Sequence, residues 1–410
     1  MAVTSTSHHD LRPRAGTARY WRTVIALVAA AVATFAQLWS VQPVLPAIAA
    51  DLDTSAAQAA LTVSLATGGM AGFTLVWSGV ADRLGRARVI TISLLLATLL
   101  GCLAPFADHL WLLLLVRTLQ GASLGGVPAA AVAHLAEEIH PTDVPRATGL
   151  YIAGNPLGGM GGRLLAGLAT DLGGWQWGVA ANTLLGLLAL TVFVLLLPRS
   201  HGPRTRPDAD IPGDAGMAKR LRAAITTRGL PALYAQALLL MGAFMAVYNL
   251  LGFRLMAEPF GLSQSVASLL FLAYTAGMLG SAMAGPATVR RGFYSVLTAA
   301  TLLMLIGLGG LFTTALPVLL VALLVLTFAF FAAHATASAR VGFQAADGRA
   351  QAMALYTLAY YVGSSLFGWL GGLVYDVVGW SGTVFFAATL TLLAALVALR
   401  LRHLPAPTRD

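Results

Sequence analysis

The chain has 410 residues, of which 58% are hydrophobic and only 10% are charged, and its mean hydropathy is +0.79. Soluble domains carry about 25% charged residues, so this composition excludes an ordinary water-soluble globule and also a disordered chain. A net charge of +9 would favour nucleic acid as the partner of a soluble protein, but the charges here lie in short clusters between long apolar runs, which indicates a membrane.

The predicted elements are helices, because a membrane-spanning helix needs about 20 consecutive apolar residues and such runs recur along the whole chain. Apolar runs between polar breaks predict an all-α integral membrane protein with twelve spans. In chain order, the predicted spans are residues 23–44, 55–79, 88–107, 110–136, 146–169, 176–197, 230–257, 263–288, 293–315, 317–339, 350–374 and 381–400.

One connection between spans, residues 198–229, is much longer than the others and contains four prolines. We interpret it as a solvated cytoplasmic linker between an N-terminal six-helix bundle, residues 23–197, and a C-terminal six-helix bundle, residues 230–400. Residues 1–22 and 401–410 are the two predicted cytoplasmic tails.

Basic residues set the expected orientation. Of the 25 Lys and Arg residues, all but Arg117, Arg163 and Arg254 lie in the tails or in the connections on the same side as the tails. Because positively charged connections stay on the cytoplasmic side, we expect both termini in the cytoplasm. Residues 47–49, Ala-Ile-Ala, resemble a signal-peptide cleavage site, but the apolar stretch before them is longer than the roughly 7–15 residues of such a segment, so we interpret it as the first span.

Two motifs of the first half recur in the second half. Residues 167–175 and 372–380 share the pattern G-L-x-x-D-x-x-G-W, at a distance of 205 positions. The sequence DRLGR at 82–86 is echoed by VRRG at 289–292, at a distance of 207 positions. Each half is therefore one six-helix unit, and an even number of spans gives both units the same orientation. This predicts a parallel repeat about an axis along the membrane normal.

The sequence SGVADRLGRAR at 78–88 resembles the pattern G-x-L-a-D-R-x-G-R-[RK] of the major facilitator superfamily. Ser78 stands where the pattern has its first glycine, and Ala87 replaces a basic residue. The sequence RTLQG at 117–121 resembles the R-x-x-Q-G motif of the twelve-span branch that contains drug:proton antiporters and sugar efflux proteins. The sequence GNPLGG at 154–159 resembles the antiporter motif G-P-x-x-G-G. With the twelve spans and the repeat, the resemblance covers nearly the whole chain.

The resemblance implies a monomeric secondary transporter of the bacterial inner membrane that works by alternating access between its two halves. It implies export of a small neutral or amphiphilic solute, drug-like or sugar-like, by proton antiport, without a cofactor, a metal or a nucleic-acid partner. Two alternatives are a proton-coupled importer or facilitator of a small polar solute and a non-transporting membrane sensor. An enzyme is not expected, because the sequence contains no H-E-x-x-H motif and no pair of acids in the middle of a span.

The loop at 82–86 is the first candidate site. In the family, this Asp and its basic neighbours pair with each other and with a helix terminus of the other half, which stabilises the outward-facing state. The resemblance therefore assigns a conformational latch to Asp82, Arg83, Gly85 and Arg86. A carboxylate near a helix N-terminus is stabilised by about 0.3–1 kcal/mol, which suits a switch between states of similar free energy. Alternatively, the arginines only set the topology and bind lipid phosphate.

Four further residues are candidates for coupling or for a charge relay. Arg117 and Arg163 place a cation inside the bilayer at a cost of at least ~2.5–3.5 kcal/mol, so each could bind an anionic group or tune an acid, unless it reaches the outer headgroups. Glu258 follows Arg254 by four residues and alternatively forms a surface ion pair. His334, deep in the tenth span, suits a proton relay or packs as a neutral side chain. The first span contains no acid, so proton coupling rests on the resemblance.

Polar and aromatic residues in the middle of the spans are candidates for lining a substrate cavity, although packing explains each one equally well alone. Together they favour a cavity with apolar and hydrogen-bonding surfaces, suited to a neutral or amphiphilic solute. The candidates are Gln37, Asn155, Gln236, Tyr248, Asn249, Tyr274, Tyr356 and Tyr360.

Overall fold

The computed structural model describes residues 12–197, 214–345 and 348–401, and its regular structure in these ranges is helical. The remainder of the predicted tails and most of the predicted linker lie outside the described residues. The helices are α1 (Ala18–Trp39), α2 (Leu45–Asp51), α3 (Ala56–Leu84), α4 (Arg86–Leu103), α5 (Leu110–Leu124), α6 (Gly126–Glu138), α7 (Val144–Thr170), α8 (Trp175–Leu196), α9 (Asp214–Thr226), α10 (Leu230–Met256), α11 (Gln264–Ser268), α12 (Tyr274–Arg291), α13 (Phe293–Gly310), α14 (Leu316–Gln344), α15 (Arg349–Val378) and α16 (Trp380–Leu401).

These helices form twelve crossings, because α5 and α6 meet at Gly125 as one crossing and a 3-10 turn at Leu269–Ala273 joins α11 to α12. Ten of the crossings are long and apolar enough to span a membrane. The other two, α7 and α15, contain 27 and 30 residues and occupy equivalent positions in the two halves. The prediction of twelve spans in two six-helix bundles is thus confirmed. The first span ends at Trp39, earlier than predicted, and the short α2 follows with Pro46 in its first turn.

Helix α9 lies in the segment that the sequence analysis interprets as a solvated linker. Residues 214–226 are rich in Ala, Leu, Lys and Arg, which favour helix, and the four prolines of the linker all precede them. The hydroxyl of Tyr234 donates to the carbonyl of Ala224 at 2.9 Å. A Cβ on Gly348 would lie 2.8 Å from the carbonyl oxygen of Arg220. This part of the connection is therefore an ordered helix that packs on the C-terminal half.

The sequence repeat produces the same turns in both halves. Gly85 and Gly292 each form a one-residue connection between two helices, with φ of +91° and +80°. Gly174 and Gly379 directly precede the first residues of α8 and α16, with φ of +96° and +75°. These angles disfavour any residue with a Cβ, so the glycines of the repeated motifs fix where each pair of helices turns.

Glycines also set how closely the helices approach within each half. In the first half, a Cβ on Gly158 would lie 2.3 Å from the carbonyl oxygen of Val32, so α7 packs directly on the backbone of α1. In the second half, a Cβ on Gly363 would lie 2.2 Å from the carbonyl oxygen of Leu238, so α15 packs equally closely on α10. Small residues allow this approach, and it holds the equivalent helix pair of each half together.

The helix ends lie on two faces of the molecule. The linker face carries the first residue of α1, the turns at Gly85 and Gly292, and the first residue of α15; Arg86 of this face pairs with Glu137 at the end of α6. The opposite face carries the other helix ends, and there the indole nitrogen of Trp175 donates to Asp51 at 2.8 Å.

The two halves meet near the opposite face and separate toward the linker face. Helix α3 shows this most clearly, because most of residues 56–71 are buried whereas none of residues 72–80 is. A Cβ on Gly68 would lie 3.1 Å from the Ser365 hydroxyl of α15, but a Cβ on Gly72 would meet no atom within 4 Å. The space between the halves is therefore closed at the opposite face and wider at the linker face.

Candidate functional site

A hydrogen-bonded chain of three side chains joins the two halves. The Arg163 Nε of α7 donates to Gln42 Oε1 at 2.5 Å, and Gln42 Nε2 donates to Asn249 Oδ1 of α10 at 2.7 Å. Arg163 Nη1 also donates to the carbonyl of Gly159 at 2.8 Å, one turn earlier in α7. Because helical side chains point toward the helix N-terminus, the guanidinium lies near the middle of α7.

Aromatic rings from both halves surround the Arg163 guanidinium. Its central carbon lies 4.6 Å from the ring centre of Trp39 in α1, 5.2 Å from that of Phe271 and 4.7 Å from that of Tyr274. Only 2% of the residue is exposed. Cations bind favourably to such rings, and the interaction strengthens when water is excluded. In the described part of the chain, no carboxylate forms an ion pair with Arg163.

The second half contributes an aromatic wall that begins at Tyr274. Tyr248, which lies 5.3 Å from Tyr274 between ring centres, shares a hydrogen bond of 2.5 Å with Thr327. Further along, His334 Nδ1 lies 3.0 Å from the hydroxyl of Tyr356, and its ring centre is 4.8 Å from that of Tyr360. Four of the predicted cavity residues, Tyr248, Tyr274, Tyr356 and Tyr360, therefore belong to one continuous cluster that also contains His334.

Arg117 occupies a different environment, inside the first half. It is fully buried, and its guanidinium donates to the carbonyls of Thr62 at 3.3 Å and Leu38 at 2.6 Å. Nη1 donates in addition to the carbonyl of Gln37 at 3.0 Å and to the side chain of Gln120. Arg117 thus ties α5 to α1 and α3 and does not reach the membrane surface, as the snorkelling alternative requires.

Asp376 of α15 caps the first turn of α3 across the boundary between the halves. Its carboxylate accepts hydrogen bonds from the Ser55 hydroxyl at 2.6 Å and from the backbone N–H groups of Ala56 at 3.1 Å and Ala57 at 3.2 Å. The unpaired N–H groups and the dipole of a helix N-terminus favour such an anion. At the same face, Gln264 Nε2 donates to the carbonyl of Pro43 at 2.7 Å, so polar contacts reinforce the closed side.

The predicted latch lies at the open side. Asp82 pairs with Arg86 at 3.6 Å, and 68% of the Asp82 side chain is exposed. Arg86 also pairs with Glu137 at the end of α6. Gly85 supplies the turn between α3 and α4, and Arg83 is exposed. In this conformation the charges of the loop are paired within the first half.

The remaining candidates do not join this site in the same way. Gln37 is buried inside the first half, where a Cβ on Gly186 would lie 2.3 Å from its Nε2, and Gln236 donates to the carbonyl of Ala394 within the second half. Both amides therefore pack between helices of one bundle. Asn155 is partly exposed on α7. Glu258 receives a hydrogen bond from Arg254 on its backbone carbonyl, at 3.4 Å, and the ion pair weighed above is not formed between these two residues.

Several residues of the site were not singled out from the sequence. Gln42, Trp39 and Phe271 carry no local motif, and their importance appears only when the two halves are brought together. Asp376 has a sequence signal, because it is the acid of the repeated G-L-x-x-D-x-x-G-W motif. A motif that places an acid at equivalent helix ends of two halves predicts a role at the boundary between them.

Relatives with known names support a transport role. The chain is 38% identical over 388 residues to the inner membrane transport protein YnfM of Escherichia coli (strain K12), covering 95% of this chain and 92% of that protein. It is 32% identical over 381 residues to the uncharacterized MFS-type transporter YybF of Bacillus subtilis (strain 168), covering 93% of each.

The fold is also similar to that of solved transporters. A bacterial homologue of the human lysosomal transporter Spinster, solved in an inward-facing and unoccupied conformation, superimposes with a TM-score of 0.77 at 17% identity, covering 95% of this chain and 99% of that one. Residues 27–339 and 237–410 match the family described as Major Facilitator Superfamily. The chain therefore belongs to the major facilitator superfamily and is a multi-pass membrane transporter, not an enzyme.

Proposed function

We propose that this transporter exports a small neutral or amphiphilic solute, drug-like or sugar-like, in exchange for protons. The observation that carries the proposal is the asymmetry of the contact between α3 and α15, which is tight near Ser55 and Asp376 and lost beyond Gly68. The basic connections support a cytoplasmic linker face in the bacterial inner membrane. With that orientation, the conformation described here is open to the cytoplasm, where an exporter collects its solute.

The cycle that we propose uses the two ends of α3 in turn. Asp376 holds the first turn of α3 while the opposite face is closed. When the halves tilt, this contact breaks and the linker face closes, so that Asp82 at the other end of α3 comes near the first turn of α15. That helix terminus is the partner that we assign to the latch, because α3 and α15 are already neighbours. In this scheme Arg83 and Arg86 balance the charge of Asp82, and Gly85 keeps the turn.

Proton coupling is the least local part of the proposal. His334 is the titratable group that we assign to it, because it lies in the aromatic wall and contacts Tyr356 and Tyr360. Its unperturbed pKa of about 6.5 would allow a proton to be taken up and released during the cycle. The motifs at 117–121 and 154–159 support the drug:proton antiporter branch by resemblance. We further propose that the protein acts as a monomer.

Everted membrane vesicles from cells that make the protein test direction and coupling together. Vesicles are energised with lactate, their acidic lumen is followed with a fluorescent amine dye, and a panel of uncharged and amphiphilic solutes is added. We expect one or more solutes to release protons from the lumen and to accumulate in it, and nigericin to abolish that accumulation. Vesicles from cells that lack the protein are the control. Accumulation that nigericin leaves unchanged would contradict proton antiport, and solute uptake by intact cells would favour the importer.

A further inference from the structure

We propose that Arg163 is the anion-binding centre of the substrate site, so that the transported class is an amphiphilic organic anion, with a carboxylate or similar group next to an apolar body. This inference rests on the proposed function and narrows its substrate class. It starts from a difference between the two buried arginines that the sequence treats alike.

Arg117 and Arg163 differ in how their hydrogen-bonding capacity is used. Arg117 donates from Nε, Nη1 and Nη2 to four oxygen acceptors, all inside the first half. Arg163 donates from Nε and Nη1 only, and within the described residues its Nη2 makes no hydrogen bond. A guanidinium has five N–H donors, so Arg163 retains donors for a further acceptor, whereas Arg117 is a satisfied structural tie.

A second unused donor lies beside Arg163. Asn249 binds the same Gln42 amide through its Oδ1, but its Nδ2 is buried and has no hydrogen-bond partner in the described part of the chain. Only 1% of Asn249 is exposed. An unpaired buried donor is unfavourable, and a surplus of donors next to an unpaired cation is the arrangement that accepts an anion. Arg163 comes from one half and Asn249 from the other, so an anion between them would touch both.

The surroundings select the rest of the ligand. Trp39, Phe271 and Tyr274 cover the faces of the guanidinium and leave its edge for a planar, bidentate acceptor. Tyr360, which is partly exposed, is close enough to Arg163 to interact with it electrostatically, and it continues the aromatic wall toward the linker face. A carboxylate at the guanidinium would thus place its apolar body against rings. A multiply charged ligand such as a phosphate ester would find one cation only.

Equilibrium binding to the purified protein in detergent tests this without depending on transport direction or protons. The probes are matched acid and amide pairs, namely benzoate and benzamide, indole-3-acetate and indole-3-acetamide, and hexanoate and hexanamide, measured by calorimetry at pH 7.5. We expect at least one carboxylate to bind about 10- to 100-fold more tightly than its amide, as a charge-assisted hydrogen bond in a buried site provides.

Variants locate the effect. Arg163→Gln is expected to abolish the preference for the acid, Arg163→Lys to retain a weaker one, and Asn249→Leu to reduce it. Arg340→Gln is the matched control, because Arg340 also stacks on two rings, Phe293 and Tyr294, but at the linker face.

The inference is overturned if no acid is preferred over its amide by the wild-type protein, a result that needs no variant to fold. It is also overturned if the preference persists in Arg163→Gln or disappears equally in Arg340→Gln. Failure of the vesicle experiment would leave this binding result standing, and the absence of anion binding would leave proton-driven export of neutral solutes standing.

Discussion

The carboxylate of Asp376 accepts a hydrogen bond of 2.6 Å from the hydroxyl of Ser55, and these two residues belong to different halves of the chain. Ser55 is at the same time the N-cap of α3, where it accepts from the Gln58 N–H at 3.3 Å. One residue therefore completes a helix start and connects it to the other bundle, so the stability of α3 and the closure of the opposite face are linked.

The first prediction concerns that link. Asp376→Asn keeps the shape of the side chain but removes the charge that faces the first turn of α3, which should weaken closure by about 1–2 kcal/mol. We expect the population open at the opposite face to rise about 5- to 30-fold. Spin labels at Phe106 and Val377, two exposed positions of the opposite face in different halves, would report it as a longer distance in pulsed EPR.

The repeat supplies the control for this experiment. Asp171 occupies the equivalent position of the first half, and it makes no hydrogen bond across the boundary in the described residues. Asp171→Asn should leave the distance distribution unchanged. Equal distributions for the two variants would show that Asp376 does not hold the face closed.

The second prediction concerns Asp82, whose only described ionic partner is Arg86 of the same half. If Asp82 acts as a latch after closure of the linker face, Asp82→Asn should leave the conformation described here intact and deplete the opposite one. Labels at Pro141 and Val289, both exposed on the linker face, should then show a single long distance even with substrate added. Asp82→Glu, which keeps the charge, is the comparison. A second, shorter distance in Asp82→Asn at the wild-type level would rule out the latch.

The third prediction separates two kinds of glycine contact. Gly363 packs on Leu238 of its own half, so Gly363→Ala should destabilise the bundle by about 1–3 kcal/mol and lower the midpoint of thermal unfolding. Gly372 packs on Ala57 of the other half, where a Cβ would lie 2.6 Å from the Ala57 Cα. Gly372→Ala should instead open the opposite face with little change in that midpoint, because the halves can separate there.

Gly79→Ala serves as the control for both variants, since a Cβ at this helical position would meet no atom within 4 Å. Unfolding midpoints in detergent and the distance between labels at Phe106 and Val377 distinguish the cases. The distinction fails if Gly372→Ala lowers the midpoint as much as Gly363→Ala and leaves the distance unchanged.

The fourth prediction concerns Arg117. Arg117→Lys keeps the positive charge but cannot serve four acceptors in the same fork, so buried carbonyl oxygens of α1 and α3 lose their partner. We expect a loss of about 2–4 kcal/mol in the free energy of unfolding and reduced transport even at matched protein levels. Arg340→Lys at the linker face should change neither quantity. Unaltered unfolding in Arg117→Lys would show that the geometry of the guanidinium is dispensable.

Much of the fold could be predicted because it depends on local chemistry. The lengths of the apolar runs predict the twelve crossings, and the repeated glycines mark turns that Gly85 and Gly292, or Gly174 and Gly379, form with the same sign of φ. The linker was interpreted from its prolines, and the helix formers that follow them were outweighed. Helix α9 is the result of that local preference.

The site was less predictable because it forms where distant segments meet. Arg117 and Arg163 look equivalent in the sequence, and only the acceptors around them separate a satisfied cation from one with free donors. The bond between Gln42 and Asn249 spans 207 positions and depends on how the two bundles pack. Asp171 and Asp376 share one motif, yet only Asp376 caps a helix of the other half, a choice that no local pattern contains.

That unequal use of a repeated acid makes the seal lopsided. At the corner where α7 meets α11, the halves touch through Gly167 and Ser268, a neutral contact, whereas the α3 and α15 corner is fastened by a carboxylate. Separation should begin at the neutral corner and swing about the fastened one, so that the outer mouth opens first as a wedge and not as a uniform slit.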